Sequence, residues 1–191
     1  MQEHIKKYTD SLRNALLSEA FNLVPRLGET LLDAWKKQRC IYICGNGGSA
    51  ANAIHLANDL IYGAGVKNGK GLRVEALSAN PAVLTCLAND IGYEHIYSEQ
   101  LRVKANPKDI LIVLSGSGNS PNILRAVEIG NELAMETFAI LGYSGGLCKA
   151  KVKYPIHFEV NDMQIVEDLQ LVVGHLCMKW LSSQSIKEGA I

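Results

Sequence analysis

The chain is short of several things, and each shortage excludes a class. No apolar run approaches the ~18 residues a membrane-crossing helix needs, so nothing in it reads as a span. The first twenty residues are charged and amphipathic, which excludes a secretory leader. Neither sign of charge dominates: 19 Lys and Arg balance 19 Asp and Glu, spread without long runs. A general nucleic-acid surface, which works by replacing counterions with basic side chains, is not expected. Cysteines are few and odd in number, five in 191 residues, most of them in apolar runs such as "CIYIC" and "AVLTCLAN". That usage reads as buried reduced thiols and a cytoplasmic protein rather than a disulfide framework. Cys40 and Cys44 are not a metal knuckle, because alternation along a strand makes both wall or core positions. There is no Walker lysine, no linker, no repeat and no low-complexity stretch.

What is present is a core. The chain is 48% hydrophobic over 191 residues, enough for one domain, 1–191. Residues 2–38 carry apolar side chains at helical spacing: Ile5, Tyr8, Leu12 and Leu16, then Leu23, Leu27, Leu31 and Trp35. Pro25 divides the stretch into two helices. This N-terminal extension (1–38) is too apolar on one stripe to stand free. It is expected to pack in an oligomer interface, with folding back on its own domain as the alternative.

Beyond it, strand and helix patterns alternate. "IYIC", "RVEALS", "DILIVLS", "TFAILG" and "IHFEV" read as strands. Residues 48–62, 81–88, 94–104, 121–133 and 163–181 read as helices, and "YSGG" as the turn between the last two strands. Such alternation means right-handed crossovers and a largely parallel sheet covered on both faces, an α/β sandwich.

Ligands of such sheets bind beyond the carboxyl ends of the strands. Two strands end there in unusual turns, "GNGGSA" (45–50) and "SGSGNSPN" (115–122), and each opens a helix. In the second, Ser115, Ser117 and Ser120 offer hydroxyls, while Gly116 and Gly118 allow close backbone approach. Pro121 suits the first helical position. Hydroxyls and backbone N–H groups at a helix start suit a phosphate; an ordinary N-cap would use one serine. The first turn also satisfies G-x-G-x-x-A through Gly45, Gly47 and Ala50. The acid that would hold a ribose should close the second strand about 20 residues on. Glu75 lies too far along and mid-strand, so no nucleotide cofactor is expected. Asn46 and Ser49 then read as polar contacts to a sugar or phosphate.

His55 and Asp59, four residues apart, share a helix face. Glu167 and His175, eight apart on the last helix, also share a side, although Gln164 and Asp168 lie on nearly the same face. A histidine among Val172, Val173, Leu176 and Met178 is either a satisfied core residue or part of a converging metal or acid–base site. His4, His95 and His157 have no such grouping.

Together, "CGNGGSAANAIHLANDL", "LTCLANDIGYEHIYSEQL", "LSGSGNSPNIL" and the Glu167–His175 helix resemble the sugar isomerase (SIS) domain, and within it the phosphoheptose isomerase family. The resemblance implies a three-layer sandwich around a mainly parallel five-stranded, flavodoxin-like sheet. It implies an aldose–ketose isomerase converting sedoheptulose 7-phosphate to D-glycero-D-manno-heptose 7-phosphate, toward the heptose of lipopolysaccharide or capsule. It further implies a cytoplasmic homotetramer with sites between subunits and one zinc per site. Position by position, Asp59 and His175 are the implied catalytic pair, and His55, Asp59, Glu167 and His175 the implied zinc ligands. Asn46, Gly47, Ser49, Asp90, Ser115, Gly116, Ser117, Ser120 and Glu167 are the implied substrate contacts. Four positions depart from the family: Asp59 stands for a glutamate, Glu167 for a glutamine, Gly116 for a threonine and Gly63 for an arginine. The alternatives are a related isomerase for another sugar phosphate, or a non-catalytic relative of the kind that binds the replication initiator protein.

Overall fold

The computed structural model describes residues 1–65 and 69–184. Five short strands form one sheet: β1 (Cys40–Gly45), β2 (Arg73–Ala76), β3 (Ile110–Ser115), β4 (Glu136–Leu141) and β5 (Tyr154–His157). Their order is β2-β1-β3-β4-β5, and all four pairings are parallel. This is the flavodoxin-like order, in which the chain reverses direction between β1 and β3. The register sets Gly45 beside Leu114, so the first turn and the serine turn leave the sheet side by side.

Alternation along the strands divides the core. Ile41, Ile43, Ile110, Ile112 and Leu114 face one layer, which holds α2 (Val24–Lys36), α3 (Gly48–Asn58) and α8 (Met163–Ser183). Tyr42, Cys44, Leu111 and Val113 face the other, which holds α5 (Ser98–Lys104), α6 (Pro121–Glu132) and α7 (Gly146–Lys151), with α4 (Pro81–Asp90) at its margin. Each fully buried Leu or Ile of these layers is worth roughly 1.5–3 kcal/mol. Among the described residues no helix is long and apolar enough to cross a membrane.

Much of the N-terminal extension packs on its own domain. Pro25 sits in the first turn of α2, and Leu27, Leu31, Ala34 and Trp35 bury into the chain's own core. α1 (Gln2–Ala15) packs on the margin of that core through Tyr8, Leu12 and Ala15, and is tied to α8 by Tyr8, whose hydroxyl donates to Asp168.

Four features differ from expectation. The helix expected over 94–104 breaks at Ile96 and Tyr97. Both bury, and the Tyr97 hydroxyl donates to the Gly45 carbonyl at the end of β1. The "YSGG" turn leads directly into a helix, α7, which its two glycines hide; α7 is held by Cys148, its one buried residue. The last strand accordingly starts earlier, at Tyr154. The helix expected over 48–62 changes pitch at Asp59, where one wider turn (Asp59–Gly63) bonds Ala64 N–H to the Asp59 carbonyl at 2.9 Å. Such π turns concentrate at functional sites.

Candidate functional site

α3 and α8 both start at the carboxyl end of the sheet and pack side by side. Gly174 makes the close approach: a Cβ there would come within 2.1 Å of Leu56 Cδ2. With the backbones this close, the outward neighbours meet. His55 Nε2 lies 2.9 Å from His175 Nε2, and the two rings stand edge to face. Asp59 Oδ2 lies 3.4 Å from His55 Nε2 and 3.3 Å from His175 Nε2. Residues separated by 120 positions thus form one cluster.

Its ligand atoms all lie within 4.8 Å of one another, the signature of a group able to hold a metal ion. Four donors arranged tetrahedrally at ~2.0–2.1 Å from an ion stand about 3.3 Å apart. The three measured separations fall close to that edge. Two imidazole nitrogens, one carboxylate oxygen and an open fourth position match the composition of catalytic rather than structural sites.

Glu167, expected as the fourth ligand, is outside this cluster. Its carboxylate reaches the start of α3 instead, where a Cβ on Gly48 would lie 2.4 Å and 2.5 Å from its two oxygens. The physical reason is position along the helix: eight residues of α8 rise about 12 Å, so Glu167 and His175 share a side at different heights. Negative charge at a helix N-terminus is favourable, and α3 has no side-chain cap of its own.

Glu167 lines a cavity of about 250 Å³ with Asn46, Gly47, Gly48, Ser49, Ser115, Gly116, Ser117, Ser120 and Met163. Eight of the nine expected substrate contacts therefore meet in one place. The serines are not spent on capping. Ser120 occupies the N-cap position of α6, yet its side chain makes no cap bond. Ser115 Oγ accepts from Gly118 N–H and Ser117 Oγ from Asn119 N–H, which closes the loop and leaves both hydroxyl protons to donate. Gly47 holds φ at +55°, and two helix starts without side-chain caps, those of α3 and α6, face the same cavity. Uncapped N–H groups and hydroxyls converging this way make an anion site.

Asp90, the ninth, is not in the wall. It ends α4 on the surface, accepting from Asn89 Nδ2 at 2.8 Å and Cys86 Sγ at 3.5 Å. That bond to Asp90 raises the Cys86 thiol above its ordinary range.

Several residues escaped the sequence reading. Ser49 is buried because Gln170 Nε2 donates to its hydroxyl at 3.0 Å, while Asn52 Nδ2 donates to Gln170 Oε1 at 2.9 Å. Met163 fills the space a side chain at Gly116 would need, with Sδ 2.5 Å from that Cβ position. Met178 Sδ likewise lies 3.3 Å from where a Cβ on Gly63 would be. Asn52 lies inside the quoted "CGNGGSAANAIHLANDL", where it reads as an ordinary helix position, and Asn122 inside "SGSGNSPN", where it reads as part of a helix start.

Comparison with known proteins agrees with this geometry. The SIS domain family matches residues 3–142. The phosphoheptose isomerase of Trichlorobacter lovleyi is 34% identical over 176 residues, covering 92% of this chain and 87% of that one. The phosphoheptose isomerase of Helicobacter pylori is 34% identical, covering 92% and 86%. Among solved structures, phosphoheptose isomerase from Neisseria gonorrhoeae superposes with a TM-score of 0.86 at 27% identity, covering 96% of this chain and 99% of that one. The sugar isomerase domain of an RpiR transcription factor from Sphaerobacter thermophilus shares the fold alone, at a TM-score of 0.63 and 18% identity, covering 95% and 90%. By sheet order, by the two turns at its switch point and by these likenesses, the chain belongs to the SIS domain family and, within it, to the phosphoheptose isomerases.

Proposed function

We propose that the protein is a ketose–aldose isomerase converting sedoheptulose 7-phosphate to D-glycero-D-manno-heptose 7-phosphate through an enediol, in the cytoplasm. The observation that carries this is the pairing of an anion cavity with a His–Asp–His cluster farther along the same two helices. On α3 the step from Gly48 to His55 is about 10 Å, and on α8 the step from Glu167 to His175 about 12 Å. With carbon–carbon bonds of about 1.5 Å, an extended seven-carbon chain and its terminal phosphate cover on the order of 10 Å. A phosphate held by the serines brings C1 and C2 to the cluster.

Isomerisation needs a base for a carbon-bound proton and an acid for the carbonyl oxygen. Asp59 removes the C1 proton and returns it to C2. His175 donates to the C2 oxygen and takes the proton of the C1 hydroxyl, and the enediol lies between these steps. His55, in contact with both, fixes their orientation. Ser115, Ser117, Ser120 and the start of α6 hold the phosphate, and that remote binding energy keeps the reacting carbons in place. His55, Asp59 and His175 fit zinc by donor type and spacing; a bound ion would supply Lewis-acid polarisation of the sugar oxygens, and Asp59 and His175 act as base and acid only while off the metal, so part of the coordination is loose during turnover.

A protein that only binds partners has no use for three polar side chains converging in this way, so the regulator reading has no support in the geometry. The assembly is taken as a homotetramer with sites at subunit interfaces. His55 and His175 are 49% and 42% exposed in the single chain, open on one side to a second copy.

The test is isomerisation of sedoheptulose 7-phosphate followed by NMR on metal-stripped and zinc-reloaded protein. Turnover lost on stripping and restored by zinc is expected. No turnover in either form, with the fold intact, would overturn the proposal.

A further inference from the structure

Asn46 is set in a hydrogen-bonded network that the catalytic scheme does not use. Its Nδ2 donates to Asn122 Oδ1 at 2.9 Å, and Asn122 Nδ2 donates back to Asn46 Oδ1 at 2.8 Å. Tyr93 Oη adds a second donor to Asn46 Oδ1 at 3.2 Å. The Ile123 backbone N–H, which can only donate, lies 3.0 Å from Asn122 Oδ1.

This last bond fixes the whole arrangement. An amide can ordinarily be turned over to exchange its N and O ends, and its orientation follows from its partners. The Ile123 N–H demands an oxygen, so the Asn122 orientation is set. Its nitrogen must then face an oxygen, which sets Asn46. Asn122 is only 1% exposed, so flipping it would bury opposed donors at a cost of about 1–3 kcal/mol. One Asn46 Nδ2 hydrogen remains, with no acceptor among the described residues, on a residue that lines the anion cavity.

We infer that Asn122 and Tyr93 are positioning residues: they hold the Asn46 amide with its nitrogen presented to the substrate, so that Asn46 donates to a sugar or phosphate oxygen. Both Asn46 oxygen lone pairs are occupied from behind, and only a donor is left to offer. The network also joins the two turns, since Asn46 belongs to the first and Asn122 to the start of α6. The inference rests on reading the cavity as a sugar-phosphate site.

The test is a double-mutant cycle on kcat/KM with Asn46→Ala and Asn122→Asp. Aspartate keeps the shape and still accepts from Asn46 and Ile123, but has no hydrogen for Asn46 Oδ1. Loss of that aim is expected to lower kcat/KM about 10- to 100-fold, chiefly through KM, beside a fall in melting temperature from the buried carboxylate facing Asn46 Oδ1. In the Asn46→Ala background the same substitution should cost nothing further. Additive losses, or a melting-temperature drop with kcat/KM unchanged, would overturn the inference. Tyr93→Phe, at a residue exposed to solvent, provides a variant whose folding is not in question, and its loss should also vanish beside Asn46→Ala.

A second readout needs no substrate. In 15N-asparagine-labelled protein the Asn46 side-chain amide, assigned by its disappearance in Asn46→Ala, should have an order parameter near ~0.85. It should fall toward ~0.6 in Asn122→Asp. An unchanged value would overturn the network. If wild-type protein does not isomerise sedoheptulose 7-phosphate, the functional reading fails, and the amide measurement still decides this one.

Discussion

Asp59 stands where α3 changes from a regular helix to a wider turn, and its carboxylate touches both imidazoles. The family resemblance puts a longer acid at this position. Here the shorter side chain still reaches both rings, with Oδ2 within 3.4 Å of each. Asp59→Asn keeps the shape and removes the proposed base, and His175→Gln removes the proposed acid. Each should lower kcat by about 10²- to 10⁴-fold, the usual worth of a positioned acid or base, with the circular dichroism spectrum unchanged and the melting profile in chelator unchanged. Near-normal turnover in either would sink the assignment. Two other departures have a visible physical counterpart: Met163 occupies the room vacated at Gly116, and Met178 packs at Gly63. The i, i+4 spacing of His55 and Asp59 made their shared face legible in the sequence. That His175 joins them was not derivable from spacing, and the same blindness placed Glu167 among the ligands when it lies at a different height on α8.

The reason lies in how elements cross. His55 and His175 meet because Gly174 lets α8 settle onto Leu56 of α3. Nothing near Gly174 in sequence announces this; a glycine within an apolar helix reads first as a helix weakness. Gly174→Ala would drive a methyl group into Leu56 and push the helices apart. A cost of about 1–3 kcal/mol is expected from overpacking, seen as a lower urea midpoint. Zinc affinity should fall with it, because the cluster's two halves ride on the separating helices. An unchanged midpoint and unchanged zinc titration would show that the crossing is not what sets the site. α7 was missed for a related reason: six residues opened by two glycines carry too little periodicity to register.

The N-terminal element has its own pH signature. Burial, with the Asp168 hydrogen bond next, pushes the Tyr8 hydroxyl up to about 12. An unfolded tyrosine titrates near 10. A pKa raised in the folded state favours the protonated form, so this contribution is complete below about pH 10 and is lost as pH rises toward 12. The stability difference between wild type and Tyr8→Phe in urea should therefore shrink between pH 9 and 11.5. Because Tyr42 and Tyr97 are also raised by burial and titrate in both proteins, only the difference between the two proteins isolates α1. A constant difference across that range would mean that Tyr8 does not tie α1 to α8.

At the scale of the whole molecule, sheet class and site location were legible because they are topological. Alternating strands and helices fix a parallel sheet, and a ligand at the carboxyl edge follows from it. The placement of both turns at the β1/β3 switch needed the strand order, which no local pattern carries. The same topology would make a metal ion a clasp on the fold. The side chains proposed to hold it come from α3 with its closing turn and from α8, His55 and His175 being 120 residues apart, so a chain that has unfolded offers no preformed site. An ion that binds only the native state stabilises by mass action, about 2.7 kcal/mol at a hundredfold excess over its dissociation constant. For a chain of this length, 2–4 °C per kcal/mol converts that to roughly 5–11 °C. Melting in zinc should exceed melting in chelator by that margin, and His175→Gln should abolish the difference. Equal melting temperatures in zinc and chelator would show that the three side chains meet without binding the ion. An undiminished shift in His175→Gln would show that zinc stabilises the fold from somewhere else.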